Sequence, residues 1–382
     1  MTGASLLLPT ERHDLLVRLL RFDLRPQEIS ALRFELLGDI RAMEALMSAA
    51  SRRQLVSAAT SQLKLYGILH PRPAHGEGRE TVTTQIGRLD AEFSQRRAVL
   101  TQALHDIITH LNRADITPLI LKGSMSLISG QPDWRFQRDI DFAVCPEQAG
   151  ATVAALVDAG FVECANMGSR PHHLRPMERA GLPATIEPHV KLAGRRASAV
   201  LPDEVLLQTE VVETWCGLKY RRLSAAAFIL HGLAHHHFQN RGYIYGTFSL
   251  KGLLEFAFGV SRLDTQAVSQ LRKITEGCAR LSAGLNLWCA LARNVLNASL
   301  PEGLEPGHVA HRDAQIVARR YLSGHTASPV TGVREHLRLM KHQLSGGGAR
   351  SSAVRAMLEG CHSAVWLDYK AQRHKASGIV DV

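Results

Sequence analysis

The feature that most constrains the fold of this 382-residue sequence is a change in its apolar pattern. Apolar residues recur every three or four positions from about residue 11 to 69, from 83 to 114 and after 223, and this spacing indicates helices. Short β-branched and aliphatic runs in the middle of the chain predict buried strands instead, at residues 116–123, 139–144 and 184–192. The pattern therefore predicts an α+β fold in which a small mixed sheet is flanked by N- and C-terminal helical regions.

Changes in composition divide the chain further. The segment HPRPAHGEGRE, at residues 70–80, concentrates proline, glycine and charge and indicates an exposed connection. The predicted division is an N-terminal helical region at 1–80, a catalytic core with a preceding long helix at 81–222, a helical region packed on that core at 223–300, and a C-terminal helical extension at 301–382.

Composition limits the location and the partners of the chain. No apolar run approaches the roughly 18 residues that a membrane-spanning helix needs, and the first residues do not resemble a secretory signal. The six cysteines form no C-x-x-C pair, as expected of thiols in a reducing compartment. We therefore expect a cytoplasmic protein without a membrane partner. The net charge of +10 favours anionic partners such as nucleotides, nucleic acid or phosphorylated metabolites.

The clearest chemical signal is the strand DIDFAV. Asp139 and Asp141 are two residues apart, and because a strand alternates its side chains, both carboxylates project from one face. Parallel carboxylates repel each other unless they share a proton or a cation lies between them. Hard oxygen ligands at this spacing favour Mg²⁺.

A third acid joins that face if the strand ATIEPHV pairs beside DIDF, because Glu187 and His189 then project away from Ile186. Three carboxylates, those of Asp139, Asp141 and Glu187, are able to hold two metal ions. Such ions grip the attacking and leaving oxygens of an in-line phosphoryl displacement, and Glu187 is placed to take the proton of an acceptor hydroxyl.

The turn after the first strand has the features of a phosphate site. Gly123 has no Cβ, so backbone amides can approach phosphate oxygens, and the Ser124 hydroxyl adds a donor. We expect a triphosphate to bind there. Lys122, Arg135 and Arg138 lie close by in sequence and can neutralise its charge.

The ordered series LILKGSMSL, RFQRDIDFAV and IEPHVKL resembles the nucleotidyltransferase superfamily typified by DNA polymerase β. It is most similar to a bacterial family of nucleotidyltransferases whose motifs read LKG, R-x-x-x-DID and E-x-H, with Arg135 as the arginine of the second motif. The resemblance covers about residues 85–260. It implies a polymerase-β-like core and transfer of a nucleoside monophosphate from a nucleoside triphosphate, with pyrophosphate released and two Mg²⁺ ions required.

The resemblance also assigns roles to individual residues. It implies that Gly123 and Ser124 contact the triphosphate, that Asp139 and Asp141 bind the metals, and that Glu187 is the third ligand and a candidate base. We expect ATP as the donor and a hydroxyl or phosphate of a small molecule or peptide as the acceptor. The family does not identify that acceptor.

Several histidines are left without a role. His231 and His235 would share a helix face, but the sequence lacks the glutamate of an HExxH motif, so a packed histidine cluster explains them equally well. His172 and His173, which precede the Glu187 strand, and His189 are either acceptor contacts or ordinary polar residues.

Two further function classes stay open. The basic clusters KLAGRR at 191–196 and KYRR at 219–222 would suit an RNA-binding or RNA-modifying protein, but aromatic residues are only 5% and do not alternate with them, so solvated faces are favoured. A catalytically silent module that binds nucleotides is the other alternative. Retention of Asp139, Asp141 and Glu187 counts against it, because these mutually repelling acids serve no purpose there.

Overall fold

Short helices begin the fold and lead into a long one. The computed structural model describes residues 15–69, 77–165, 172–240, 242 and 247–322. After helical residues 15–19, the chain forms α1 (Pro26–Gly38), α2 (Ile40–Arg52), α3 (Val56–Leu65) and α4 (Glu77–Arg113). The Asp39 carboxylate starts α2 by accepting a hydrogen bond from the Arg41 amide. Helix α4 begins ahead of its predicted start near residue 83.

Apolar spacing on α4 determines where the sheet lies. Leu100, Leu104, Ile107 and Leu111 recur at helical spacing, and all four are fully buried. They belong to the same apolar cluster as Phe142, which lies in the central part of the sheet. The second half of α4 therefore forms the layer beneath the strands.

The sheet has seven strands in the order β3-β4-β5-β2-β1-β7-β6. They are β1 (Leu119–Ile120), β2 (Asp139–Ala143), β3 (Val162–Glu163), β4 (Met177–Glu178), β5 (Thr185–His189), β6 (Val211–Trp215) and β7 (Leu218–Arg222). Strand β2 is antiparallel to β1 and parallel to β5, and β1 is parallel to β7. The sheet is mixed, and the predicted α+β class is confirmed.

Four short helices connect these strands. Helix α5 (Ser124–Ser129) follows β1, and α6 (Ala149–Asp158) follows β2 after a 3₁₀ turn. Helices α7 (Arg195–Ser198) and α8 (Asp203–Leu207) lead from β5 to β6. The chain leaves α6 through Gly160 at φ 83°, a conformation that glycine adopts without steric cost.

The hairpin of β6 and β7 was not predicted. It turns at Cys216 and Gly217, which both have positive φ, as in the two-residue turns that favour hairpins. The KYRR cluster, interpreted from the sequence as a solvated basic face, is strand β7. Its Tyr220 is buried, and Arg221 and Arg222 pair with glutamates of the same hairpin region.

Helices complete the described part of the chain. Helix α9 (Ala225–Leu233) continues into a π-helical turn (Ala234–Gln239), and α10 (Leu250–Val260), α11 (Thr265–Glu276), α12 (Ala279–Leu296) and α13 (His308–Leu322) follow. They share one apolar core with the N-terminal helices, and the Phe22 amide donates to the Leu296 carbonyl at 2.7 Å. Most of the predicted extension at 301–382 lies outside the described residues.

Two predictions from composition concern membrane-spanning helices and the state of the cysteines. Among the described residues, no helix is both long enough and apolar enough to cross a membrane. The five described cysteines, Cys145, Cys164, Cys216, Cys278 and Cys289, have free thiols, and Cys361 lies outside the described residues.

Candidate active site

Strands β2 and β5 bring the predicted acids together. They pair in parallel with Asp141 opposite Glu187, so the predicted pairing is confirmed. Ile140 and Phe142 are fully buried in the apolar cluster against α4. Because side chains alternate along a strand, Asp139 and Asp141 project from the opposite face, on the side of Glu187.

Glu187 and His189 add further ligand atoms beside Asp141. Ligand atoms of Asp141, Glu187 and His189 all lie within 4.8 Å of one another. Asp139 is not part of this group. It lies two residues before Asp141 on β2, opposite Thr185. Carboxylate oxygens and an imidazole nitrogen are donors that divalent cations accept, and the buried His189 Nδ1 has no hydrogen-bond partner among the described residues. These residues fit a divalent metal site.

Two donors bind one oxygen of Asp141. Lys122 Nζ lies 2.8 Å from Asp141 Oδ1, and His189 Nε2 lies 2.9 Å from the same atom. Burial disfavours the charge of Asp141, but Lys122 and the hydrogen bond from His189 outweigh it and hold the pKa of this carboxyl well below its usual range. Asp141 is therefore an ionised carboxylate in the folded protein.

Asp139 has the opposite electrostatic environment. Burial raises the pKa of Asp139 to about 6, and the negative charges of Asp141 and Glu187 add to this effect. A cation placed between these groups relieves the same repulsion. The site therefore favours binding of positive charge at Asp139.

The turn between β1 and α5 is fixed from both sides. Gly123 is covered by Arg135, whose Nη1 would clash with a Cβ at this position. The buried Ser124 Oγ accepts the Asp141 amide at 2.7 Å, which ties the turn to β2. The Gln137 side chain donates to the Gly123 carbonyl at 3.1 Å and also contacts Ser126. A Cβ at residue 123 would therefore have to displace the Arg135 guanidinium.

Arg135 and Arg138 have different positions. Arg135 forms a largely buried ion pair with Glu255 of α10, at 2.8 Å. Coulombic attraction and hydrogen bonding to Glu255 outweigh burial and raise the pKa of Arg135. Arg138 is exposed, just before Asp139. The sequence gives no signal for Glu255, because 120 residues separate it from Arg135.

A cavity of about 870 Å³ opens beside the acids. Lys122, Asp139 and Asp141 line one side, and α9, the π-helical turn and α10 supply much of the rest. Its aromatic lining residues are Phe228, Phe248, Phe256, Phe258 and Tyr321. A volume of this size lies toward the upper end for small-molecule sites, so it is large enough for two reactants.

The histidines divide into two groups. His231 is buried and its Nε2 lies 2.8 Å from the Leu192 carbonyl oxygen; burial lowers its pKa to about 4. Among the described residues, neither His231 nor His235 belongs to a group of three potential metal ligands. His172 and His173 pack beside His189, with the His173 and His189 ring centroids 5.1 Å apart. Of these residues, His189 lies closest to the acids. The sequence indicated this place for His189, because residues two apart on a strand, such as Glu187 and His189, project from the same face.

Two of three comparisons with known proteins gave a match. The solution structure of the antibiotic-resistance factor ANT(2'')-Ia is similar to this chain at 14% identity and a TM-score of 0.34, over 49% of this chain and 95% of that one. No curated protein sequence provides a further match. Residues 42–296, well over half of the chain, match the family described as "Uncharacterised nucleotidyltransferase". The chain belongs to this nucleotidyltransferase family, as its motifs predict.

Proposed function

We propose that the protein is a Mg²⁺-dependent enzyme that transfers AMP from ATP to a hydroxyl or phosphate of a small-molecule or peptide acceptor and releases pyrophosphate. One observation carries the proposal. The parallel pairing of β2 with β5 places Asp139 and Asp141 in a cavity wall with Glu187 directly beside Asp141. Three carboxylates in this arrangement match the needs of nucleotidyl transfer.

Asp139, Asp141 and Glu187 are the proposed ligands of two Mg²⁺ ions. Bound there, the ions supply positive charge to the attacking and leaving oxygens of an in-line displacement. His189 and Lys122 hold Asp141 through Oδ1, which leaves Oδ2 for a ligand. Glu187 is half-buried and accepts the proton of the acceptor hydroxyl at its carboxylate.

The turn after β1 is the proposed triphosphate contact. Ser124 uses its oxygen to accept the Asp141 amide, so its hydroxyl proton is available to donate. Gly123 contributes a backbone amide, and Lys122 contributes positive charge at the cavity wall. Arg135 packs against this turn, and Arg138 is exposed just before β2. Each arginine adds positive potential for the triphosphate.

The cavity supports a small acceptor. Its lining combines aromatic and aliphatic side chains with charged groups, among them Lys122, Asp139 and Asp141, and this combination suits a small molecule or a short peptide segment. The free thiols of the described cysteines support the cytoplasmic location that we propose.

Pyrophosphate release tests the reaction. The assay uses the full chain with ATP, Mg²⁺ and a small-molecule extract as the source of acceptor. We expect release with wild type, and loss of that release in the double variant Asp139→Asn, Asp141→Asn. Asp158→Asn, which changes an exposed acid at the end of α6, is the matched control and keeps wild-type release. Full activity of the double variant rules out this mechanism.

RNA is the alternative acceptor or ligand, and the +10 charge is the observation in its favour. Arg221 and Arg222 are paired with Glu210 and Glu213, so the KYRR cluster offers less free charge than its sequence indicates. Salt-sensitive binding of bulk tRNA at physiological ionic strength supports this alternative, and the absence of binding removes it.

A further inference from the structure

Lys251 brings a second helical segment to the acidic site. It lies in the first turn of α10, which Ser249 caps by accepting the Gly252 amide at 3.2 Å. Lys251 Nζ lies 3.3 Å from the carbonyl oxygen of Phe136, three residues before Asp139. Lys251 and Glu255 are four residues apart and therefore share a helix face. Both line the cavity together with Asp139.

Lys251 differs from the other cations at this side of the cavity. Lys122 pairs with Asp141 and Arg135 pairs with Glu255, each at 2.8 Å. In the part of the chain that the structure describes, no carboxylate lies within 4 Å of Lys251 Nζ, and the Phe136 carbonyl is its hydrogen-bond acceptor. A partly buried ammonium without a direct ion-pair partner is costly, even where carboxylates lie farther away.

An anion bound in the cavity would offset the free-energy cost of burying the Lys251 ammonium. Burial lowers the pKa of Lys251, while Glu255 and Asp139 act in the opposite direction. An ammonium has three donor hydrogens, and two remain for a ligand after the contact to Phe136. Phosphate is an anion that a lysine binds readily as a point charge.

We propose that Lys251 binds the β- and γ-phosphates of the nucleoside triphosphate and stays in contact with the pyrophosphate that leaves. This inference rests on the proposed function. The acceptor oxygen bonds to the α-phosphorus, its proton goes to Glu187, and the bond from the α-phosphorus to the bridging oxygen breaks. The electron pair of that bond leaves on pyrophosphate, where Lys251 neutralises the charge.

Calorimetric titration of the full chain tests the assignment. The ligands are ATP with Mg²⁺ and AMP with Mg²⁺, and the variants are Lys251→Met, Lys251→Arg and the control Lys273→Met. Lys273 is an exposed lysine of α11, so its substitution removes the same charge elsewhere. We expect Lys251→Met to raise the Kd of ATP by about 10- to 100-fold, the range for a charged hydrogen bond.

The same titrations separate this role from a structural one. AMP lacks the β- and γ-phosphates, so its Kd is expected to change by less than about twofold in Lys251→Met. Lys251→Arg should recover most of the ATP affinity, and Lys273→Met should match wild type. Equal ATP affinity in wild type and Lys251→Met overturns the assignment, as does an equal loss for ATP and AMP. Failure of wild type to bind ATP overturns the proposed function itself, which names ATP as the donor, before any variant is compared.

Discussion

Lys122 and His189 both bind Oδ1 of Asp141, at 2.8 and 2.9 Å, so one oxygen of this carboxylate receives two donors. Lys122 is the second residue after β1 and has φ of 44°, whereas His189 ends β5. Two strands that flank β2 therefore hold Asp141 in place. The other oxygen is the one that we propose binds a cation, and the two contacts link the stability of the fold to the charge of the site.

Removal of the Lys122 ammonium tests that link. Lys122→Met leaves the Asp141 charge buried with only His189 as partner, so we expect the free energy of unfolding to fall by about 3 kcal/mol. Saturating Mg²⁺ should restore part of this loss, because a divalent ion replaces the missing positive charge. Urea unfolding of wild type and variant, with and without Mg²⁺, measures both effects.

The control for this prediction is Lys64→Met. Lys64 also forms an ion pair, with Asp90 at 2.6 Å, but its side chain is 55% exposed. Pairs of this kind contribute at most about 1 kcal/mol. Equal, small losses in Lys122→Met and Lys64→Met would show that the Asp141 pair is not a buried structural contact.

A methyl group at Gly123 should disturb the Arg135 guanidinium. The added Cβ would clash with Arg135 Nη1, and Glu255 holds that guanidinium at 2.8 to 2.9 Å. We expect Gly123→Ala to lower the free energy of unfolding by about 1–3 kcal/mol. The loss should be smaller in an Arg135→Met background, and a double-mutant cycle by urea unfolding measures the difference.

Gly87→Ala is the matched control for this steric argument. Apart from the backbone of its own helix and its chain neighbours, no described atom lies within 4 Å of a Cβ at Gly87, which is an exposed position in α4. Alanine is favoured over glycine in a helix interior by about 1 kcal/mol, so this variant should gain stability. Additive effects of Gly123→Ala and Arg135→Met would contradict the packing of Arg135 on this turn.

The positions of the acids were predictable because they follow from residues that are close together in the sequence. Strand alternation alone places Asp139 and Asp141 on one face, and the apolar residues between them show which face is buried. Glu187 follows once β2 and β5 pair. His189 belongs to the same alternation, but a histidine on a strand fits several roles, so the sequence left its role open.

Tertiary contacts explain the residues that the sequence did not reveal. Glu255 and Lys251 reach the site only because α10 packs over it, more than 100 residues after Arg135 and Phe136. The hairpin of β6 and β7 was missed because its strands are half-exposed and rich in charged residues. Its charges are used in ion pairs within the hairpin region, which a pattern of basic residues does not show.

His231 should make stability depend on pH. Its folded pKa is about 4, whereas an unfolded histidine has a pKa of about 6.5. The unfolded chain therefore binds a proton that the folded chain rejects, and stability falls as the pH drops from about 6.5 to about 4. The slope contributed by one such histidine is at most about 1.4 kcal/mol per pH unit.

Comparison with His231→Gln isolates this contribution. Asp139 has a raised pKa of about 6 and gives a slope of opposite sign, but it is present in both proteins and cancels in the difference. We expect the two urea-unfolding profiles to run parallel above about pH 6.5 and to converge or cross below it, as wild type loses more stability. Profiles that stay parallel down to pH 4.5 would show that His231 accepts protons equally in both states.

The most direct test of the central claim is thermal unfolding with each of the four nucleoside triphosphates, with and without Mg²⁺, in wild type and Asp139→Ala. Ligand binding to the folded state adds stability, about 2.7 kcal/mol at a hundredfold excess over Kd. We predict stabilisation that is largest with ATP and that requires both Mg²⁺ and Asp139. Stabilisation by none of the four, or stabilisation that persists without Mg²⁺ and in Asp139→Ala, would contradict a metal-dependent nucleotidyltransferase site at Asp139 and Asp141.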